Sequence, residues 1–303
     1  MARIAIVGVG AIGGAVAAPL VATGAHDVTL CVRESFASLV LESPGGRLEL
    51  PVRCETEPAR IAPTDWILLA TKAYDVPTAA PWLRALCREG ATLAVLQNGV
   101  EHRERVQPYA GAAEILPVVV ECPAERTAPG RVLQRAPARL TVPAGRAGED
   151  FAALFAGTAV AVECSPDFTS AAWRKLCLNA ASGPLLALTA RAHEVLHAPG
   201  MAELALGLMR ECVAVGRAEG ARLADSLPDE IHARLLAAPK SAGNSMLYDR
   251  RACRRLEGDA RNGAVARIGA RHGIATPLNA AVCALLEASV DCGPGGSDER
   301  TRF

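Results

Sequence analysis

One segment of this chain combines a lysine with residues whose spacing suits acid–base chemistry. Lys175, Asn179 and Gly183 are four residues apart, so a helix would place them on one stripe. Apolar residues flank the stripe, which predicts a half-buried lysine, and desolvation lowers the pKa of an ammonium group. Such a group can donate a proton to a carbonyl oxygen, whereas an arginine cannot. The alternative is a lysine that extends to solvent from a helix edge.

Two further polar residues directly follow predicted strands. Lys72 follows the apolar run 66–71, and Asn98 follows the run 92–97. In an open parallel sheet, ligands bind beyond the carboxyl ends of the strands, which predicts that both side chains contact a cofactor. The alternatives are a solvated loop lysine and a plain Asn-Gly turn.

The elements that would position these residues begin with a glycine-rich turn. Gly8, Gly10 and Gly13 form a GxGxxG motif between an apolar β-branched run and a predicted helix. Gly8 permits a tight bend, Gly10 lets the backbone approach a pyrophosphate, and Gly13 lets the helix lie close to the strand. Ala11 and Ile12 open the helix, whose first N–H groups favour phosphate. The sequence therefore predicts a dinucleotide site, the alternative being a turn without a ligand.

Arg33 bears on the choice of dinucleotide. It follows the predicted second strand, residues 27–32, about 20 residues past the glycines, where an acidic residue usually binds the ribose 2′-hydroxyl and an arginine suits a 2′-phosphate. We therefore expect NADPH rather than NADH, although the adjacent Glu34 could weaken the preference. The alternative for Arg33 is a solvated cation at a strand end.

The pattern of apolar runs and turns predicts an α/β fold. We expect a Rossmann-type, doubly wound and mostly parallel sheet in residues 1–165, followed by an all-α domain in residues 166–291. Two short runs, 132–134 and 140–142, are punctuated by prolines and predict a hairpin-like annex. Residues 292–303 contain Gly-Pro-Gly-Gly with mixed charge and predict a disordered tail.

Composition restricts the classes of function. The 32 basic residues balance 32 acidic ones, which argues against nucleic acid or an anionic membrane as a partner. The arginines within 250–255 are accordingly interpreted as a solvated face. Ten cysteines are scattered singly without metal-ligand spacing, which predicts reduced thiols and no metal site. Without a bilayer-length apolar run or a signal peptide, we expect a cytoplasmic protein.

Taken together, these residues resemble those of the ketopantoate reductase (2-dehydropantoate 2-reductase) family along nearly the whole chain. The segments that carry the resemblance are the Gly8–Gly13 loop, Thr71-Lys72-Ala73, Gln97-Asn98-Gly99, the Pro129-Gly130 turn, Trp173-Arg174-Lys175-Leu176 with Asn179, Ser245-Met246 with Asp249, Glu257, Asn262-Gly263, and Gly273-Ile274 with Pro277-Leu278-Asn279. The resemblance implies NADPH-dependent reduction of a 2-oxo acid to a 2-hydroxy acid. The expected reaction is 2-dehydropantoate to pantoate, a step of pantothenate biosynthesis.

The resemblance also implies roles for residues in the helical domain. Lys175 would protonate or polarise the developing alkoxide, whose charge favours a nearby cation. Glu257 would bind substrate or poise Lys175. Asn179 would bind the substrate hydroxyl or keto group, and Ser245 would hold its carboxylate.

On the cofactor side, the resemblance implies that Lys72 and Asn98 contact the nicotinamide ribose and carboxamide. Asn98 would thereby also lie beside the substrate. The substrate would bind in a cleft between the domains, whose closure would exclude water. The apolar character of the helical domain adds a homodimer as an expectation.

Two departures from the family pattern leave the substrate open. The family commonly has an asparagine at the position of Gly183, and another substrate-side asparagine aligns near His193. We expect His193 to be exposed, the alternative being that it replaces one lost contact. The chain could therefore act on 2-dehydropantoate or on a different 2-oxo acid. A third hypothesis, a non-catalytic dinucleotide sensor, is disfavoured because a binding module needs neither Lys175 nor Glu257.

Overall fold

A computed structural model describes residues 1–289 of the chain, which divide into two compact units. One unit contains Met1–Gln97 and Glu101–Phe168, and the other contains Asn98–Val100 and the chain from Thr169 onward. The short segment Asn98–Val100 thus belongs to a different unit from its neighbours in sequence. The predicted tail, residues 292–303, lies outside the described residues.

The first unit carries all the strands of the described chain. They are β1 (Arg3–Val7), β2 (Asp27–Cys31), β3 (Ser38–Ser43), β4 (Gly46–Pro51), β5 (Arg53–Glu55), β6 (Trp66–Leu69), β7 (Thr92–Val95), β8 (Glu114–Pro117), β9 (Val119–Glu121), β10 (Ala124–Ala128), β11 (Arg131–Gln134), β12 (Arg139–Pro143) and β13 (Ala161–Ser165). Its helices are α1 (Ala11–Thr23), α2 (Val76–Leu86), α3 (His102–Val106) and α4 (Arg146–Leu154), with 3-10 turns at Pro58–Arg60 and Ala73–Asp75.

Six strands form a sheet in the order β5-β2-β1-β6-β7-β8, and every neighbouring pair is parallel. The alternation of side chains along β1 explains why helices cover both faces. Ile4 and Ile6 join the core that contains residues of α1, whereas Ala5 and Val7 join the core that contains residues of α2. The predicted Rossmann-type, doubly wound architecture is confirmed.

The prediction of a hairpin-like annex is wrong, because β11 and β12 lie in different sheets. β11 pairs with β10 and with β3 in a sheet of order β10-β11-β3-β4. β12 pairs with β9 and β13 in a three-stranded sheet. The prolines correctly indicated turns, but local pattern does not reveal that the partners of each strand are distant in sequence.

The second unit is helical, as predicted. Its helices are α5 (Phe168–Thr189), which begins one residue before the unit boundary, α6 (Met201–Ala218), α7 (Leu227–Ala237), α8 (Ser245–Arg251), α9 (Ala264–Arg271) and α10 (Pro277–Ala288). A 3-10 turn spans His193–His197, and one turn of π-helix spans Asp259–Gly263. Between Ser165 and residue 289 the chain forms no strand. Within residues 1–289, no helix has the length and apolar character that crossing a membrane requires.

Candidate active site

The glycine-rich turn between β1 and α1 has the backbone geometry that a dinucleotide requires. Gly8 has φ +90°, and a Cβ there would lie 2.6 Å from Cγ2 of Thr71. A Cβ on Gly13 would lie 2.1 Å from the carbonyl oxygen of Gly8, so only glycine lets the helix approach the turn. A Cβ on Gly10, in contrast, would meet nothing within 4 Å. Gly10 therefore borders open space, as the approach of a pyrophosphate demands.

The start of α1 complements this turn. Ala11 and Ile12 form its first turn behind Gly10, and the first helical hydrogen bond runs from Gly14 N to Gly10 O at 2.9 Å. The backbone N–H groups of a first helical turn lack helical partners, and the helix dipole makes this end positive. The first turn of α1 contains no acidic residue. The turn therefore fits the phosphates of a dinucleotide.

Arg33 lies two residues beyond the end of β2, and both Arg33 and Glu34 are exposed. β2 is the direct neighbour of β1 in the sheet, so Arg33 follows the strand next to the glycine-rich turn. Cys31 ends β2, and burial raises the pKa of its thiol to about 12. The cysteine is therefore neutral at physiological pH and adds no negative charge there.

Lys72 is half-buried after the end of β6, where a neighbouring glutamine holds its backbone. The carbonyl oxygen of Lys72 accepts hydrogen bonds from Nε2 of Gln97 at 3.2 Å and from the Asp75 amide at 2.9 Å. Nε2 of Gln97 also donates to Oγ1 of Thr71 at 3.0 Å. Gln97, to which the sequence assigned no separate role, thus joins the segments that follow β6 and β7.

The stripe predicted around Lys175 lies within the continuous helix α5. Lys175 and Asn179 are half-buried and Gly183 is buried. The helical rise separates consecutive members of the stripe by roughly 6 Å. The lysine thus has the half-buried setting that the flanking residues predict.

A hydrogen-bonded network joins four of the predicted site residues in the helical unit. Nδ2 of Asn98 donates to Oε2 of Glu257 at 2.9 Å, and Nδ2 of Asn179 contacts Oδ1 of Asn98 at 3.5 Å. Glu257 is only 3% exposed and also accepts from Nη2 of Arg261 at 3.1 Å. The same Nη2 lies 3.2 Å from Oγ of Ser245. Asn179, Asn98 and Glu257 are therefore linked directly, and Ser245 joins them through Arg261.

Arg261 is the network member that the sequence interpretation missed. A usable signal was present, because Arg261 follows Glu257 by four residues, the spacing of an ion pair on one helix face. The same spacing is common on solvated helices, so it does not by itself indicate a buried ion pair. In the structure both side chains are almost fully buried. Arg251, Arg254 and Arg255, by contrast, are exposed, as a solvated face requires. Arg250 departs from that prediction, because it is half-buried and its Nη1 donates to the Ser289 carbonyl at 2.6 Å.

Two asparagines within the resemblance hold the structure around this network. Asn262 is fully buried, and its Nδ2 donates to the Ala180 carbonyl at 2.8 Å and to Oδ1 of Asn279 at 2.9 Å. Nδ2 of Asn279 in turn donates to the carbonyl oxygen of Leu208 at 3.1 Å. These bonds connect the π turn that contains Arg261 to α5, α6 and α10.

The expectation that His193 is exposed is wrong. His193 is 9% exposed, and its amide donates to the Ala242 carbonyl at 2.9 Å. The chain around Ala242 therefore packs against the histidine, a tertiary contact that a lone histidine does not reveal in sequence. Burial lowers the pKa of the His193 imidazole, and the nearby Glu194 partly opposes this shift. Nδ1 is buried without a hydrogen-bond partner in the described chain.

The structure shows neither a metal cluster nor a disulfide in the described part of the chain. Within residues 1–289, no three or more His, Cys, Asp or Glu side chains are grouped so that they could hold a metal ion. No disulfide joins the cysteines of this range. The predicted site residues instead fall into two sets. Gly8 to Gly13, Arg33 and Lys72 belong to the first unit, and the Asn98–Glu257 network belongs to the helical unit.

The chain matches known proteins over nearly its whole length. The family model described as "Ketopantoate reductase PanE/ApbA" matches residues 4–147, and the corresponding C-terminal model matches residues 167–290. A 2-dehydropantoate 2-reductase from Caulobacter vibrioides is 48% identical, covering 95% of this chain and 99% of the relative. One from Mycobacterium tuberculosis is 43% identical over 96% of this chain and 99% of its own length.

A solved structure shows the same architecture. The crystal structure of a 2-dehydropantoate 2-reductase from Geobacter metallireducens is 30% identical, with a TM-score of 0.87 over 95% of this chain and 99% of that one. Sequence and fold thus agree over both units. The chain belongs to the ketopantoate reductase family.

Proposed function

We propose that this chain reduces 2-dehydropantoate to pantoate with NADPH. The observation that carries the proposal is the network Asn179–Asn98–Glu257, in which two half-buried amides meet a buried carboxylate. Lys175 lies on the same helix stripe as Asn179. Membership of the ketopantoate reductase family supports the reaction. The non-catalytic sensor hypothesis is not retained, because the curated relatives are reductases.

The first unit binds the cofactor. The N–H groups at the start of α1 hold the pyrophosphate beside Gly10, where a side chain would stand in the way. Arg33 pairs with the 2′-phosphate that distinguishes NADPH from NADH. Lys72, whose backbone carbonyl accepts a hydrogen bond from Gln97, contacts the nicotinamide ribose. NADPH, when bound, supplies the hydride that reduces the keto carbon.

The helical unit binds and protonates the oxygen of the substrate carbonyl. As the carbonyl is reduced, negative charge develops on its oxygen, and the Lys175 ammonium stabilises that charge and donates the proton. Asn179 holds the same oxygen through its amide. Asn98 is oriented by its bond to Glu257, so that its amide is fixed before the substrate arrives. Ser245, exposed at the start of α8, binds the substrate carboxylate.

Gly183 favours a second candidate substrate. Where the family commonly has an asparagine, this chain offers no side chain on the stripe below Asn179. A different 2-oxo acid, one that does not use the missing amide, is therefore the second candidate. His193 does not supply an exposed replacement, since it is buried.

An NADPH-oxidation screen over branched and linear 2-oxo acids tests the proposal. The purified full chain is mixed with NADPH and each acid, and absorbance loss is followed with and without protein. We expect 2-dehydropantoate to give the highest kcat/KM. A different acid with the highest value would favour the second candidate. NADPH binding without oxidation on any acid would refute the proposed reaction.

We further propose a homodimer in the cytoplasm. The support for the dimer is the apolar character of the helical unit, in which Leu285 of α10 is 56% exposed. The support for the compartment is membership of the ketopantoate reductase family. Sedimentation velocity at two protein concentrations tests the dimer, and a monomer at both concentrations would contradict it.

A further inference from the structure

Arg261 is a buried charged residue, and the cost of its desolvation calls for a functional explanation. It is 2% exposed and lies in the π-helical turn Asp259–Gly263. Its Nη2 lies 3.1 Å from Oε2 of Glu257 and 3.2 Å from Oγ of Ser245. Removing a guanidinium from water is costly, and a buried ion pair is weak evidence for stability alone. π turns occur frequently at functional sites.

Gly183 provides the space for this guanidinium. A Cβ at position 183 would lie 3.0 Å from Nη1 of Arg261 and 3.6 Å from Cε of Met246. Any side chain at this position of α5 would therefore press on the arginine. Glycine within a helix is unfavourable relative to alanine. The departure at Gly183 and the presence of Arg261 are thus two parts of one arrangement.

Arg261 also determines which way the Ser245 hydroxyl can donate. A guanidinium carries donors only, so Nη2 occupies a lone pair of the Ser245 oxygen. The hydroxyl hydrogen of Ser245 is then directed away from Arg261, and the serine is exposed. An anion that accepts this hydrogen would lie close to the positive charge of Arg261.

Arg261 has a further hydrogen-bond donor, and its positive charge balances the carboxylate of Glu257. Its Nε is buried and makes no hydrogen bond to the described residues. Glu257 places a carboxylate in the network, and this charge alone would repel an anionic substrate. Arg261 pairs with that carboxylate and so removes the repulsion.

We propose that Arg261 is a positioning and specificity-determining residue for the carboxylate end of the substrate. It orients Ser245 as a donor to that carboxylate and neutralises the nearby charge of Glu257, and Gly183 leaves the space that Arg261 occupies. The inference rests on the proposed reduction of a 2-oxo acid, because only then does an anionic carboxylate reach Ser245.

Three variants of the full chain test this role. Arg261→Gln removes the charge but keeps amide donors, Arg261→Lys keeps the charge, and Gly183→Ala adds only the Cβ that presses on Nη1. The matched control is Arg267→Gln, since Arg267 is an exposed arginine on α9 that pairs with Asp259. For each protein we would measure kcat, the KM for 2-dehydropantoate, and the inhibition constant of pantoyl lactone, the neutral cyclic form of the product. Wild-type turnover is measured first, so that failure of the proposed reaction is separated from failure of this inference.

We expect Arg261→Gln to raise the KM for 2-dehydropantoate about tenfold to a hundredfold, as loss of a charge-assisted contact would. The lactone inhibition constant should stay nearly constant, because the lactone has no carboxylate. Arg261→Lys should recover part of the loss, and Arg267→Gln should match wild type.

If wild type is active and Arg261→Gln leaves the KM unchanged, the inference is wrong. It is equally wrong if the KM and the lactone inhibition constant rise together in both Arg261 variants, which would indicate a merely structural residue. If Arg261→Gln does not fold, the kinetics of Arg261→Lys and Gly183→Ala test the inference instead. A several-fold higher KM in Gly183→Ala with an unchanged lactone constant supports the inference, and unchanged KM values in both variants overturn it.

Discussion

Nδ2 of Asn98 lies 2.9 Å from Oε2 of Glu257, although the two residues are 159 positions apart in the chain. Gly99 makes this approach possible. It has φ +103°, and a Cβ there would lie 2.6 Å from the carbonyl oxygen of Ala260. The Asn-Gly pair is therefore more than a turn after β7, because it brings an amide to a buried carboxylate of the helical unit.

Asn98 and Asn262 should affect different properties when each is changed to alanine, activity in the first case and stability in the second. Asn98→Ala removes the partner of Glu257 in a half-buried segment, so we expect kcat/KM to fall about tenfold to a hundredfold with little change in Tm. Asn262→Ala leaves the buried Ala180 carbonyl and Oδ1 of Asn279 without their donor, so the free energy of unfolding should fall by about 1–3 kcal/mol. Steady-state kinetics and thermal melts of both variants check this. An equal loss of stability in the two variants would contradict the assignment.

Gly10 and Gly13 form a matched pair for separating cofactor binding from folding. A Cβ on Gly13 would collide with the Gly8 carbonyl, so Gly13→Ala should destabilise the fold by about 1–3 kcal/mol, as overpacking does. A Cβ on Gly10 meets no protein atom, so Gly10→Ala should cost at most about 1 kcal/mol, the loss of a favourable cap residue. Gly10→Ala should instead raise the Kd for NADPH about tenfold, as loss of one good contact would.

Fluorescence titration with NADPH and chemical denaturation measure the two effects. If Gly10→Ala binds NADPH as wild type does, the pyrophosphate does not approach that residue.

Arg33→Asp tests the preference for NADPH. An aspartate there would repel the 2′-phosphate and could bind the ribose 2′-hydroxyl of NADH. We expect the ratio of kcat/KM for NADPH to that for NADH to fall about tenfold to a hundredfold. Because Arg33 is exposed, Tm should not change. Glu34→Gln is the matched control, and an unchanged ratio in Arg33→Asp would refute the role of Arg33.

His193 should make the protein less stable in mild acid. Burial holds the imidazole pKa below its ordinary value of 6.5, so below that pH the unfolded chain binds a proton more readily than the folded one. The contribution of this residue to the free energy of unfolding is therefore complete above pH 6.5. It is lost as the pH falls through the lower pKa of the folded state. His193→Asn should remove this part of the pH dependence.

Thermal melts between about pH 5 and 8 measure it, with the exposed His197→Asn as control. Parallel Tm curves for wild type and His193→Asn would show that His193 does not contribute.

Local patterns were sufficient for the elements that depend on neighbours in sequence. The strand before Gly8, the helix after it and the helical stripe of Lys175 and Asn179 follow from apolar periodicity and glycine placement. The structure has β1, α1 and α5 where these patterns predict them. Each signal lies within one or two turns of chain, where spacing alone decides which side chains share a face.

Features that depend on distant partners could not be predicted in the same way. β3 was not predicted, and the pairing of β11 with it joins segments far apart in sequence. Arg261 follows Glu257 by four residues, a spacing that is common for exposed ion pairs. The two side chains are buried only because of the structure that surrounds them. His193 is buried, and its amide bonds to the carbonyl of Ala242 in a segment distant in sequence. In each case the environment, rather than the residue type, determines the outcome.

Lys175 provides the most direct test of the proposed mechanism. NADPH oxidation with 2-dehydropantoate would be measured for wild type, Lys175→Ala, Lys175→Arg and the exposed control Lys240→Ala, alongside the Kd for NADPH. We predict that Lys175→Ala lowers kcat about 10²–10⁴-fold, the range for loss of a general acid, while NADPH binding and Tm persist. Lys175→Arg should recover little, because it restores the charge without a transferable proton. A Lys175→Ala protein that keeps wild-type kcat would contradict the account.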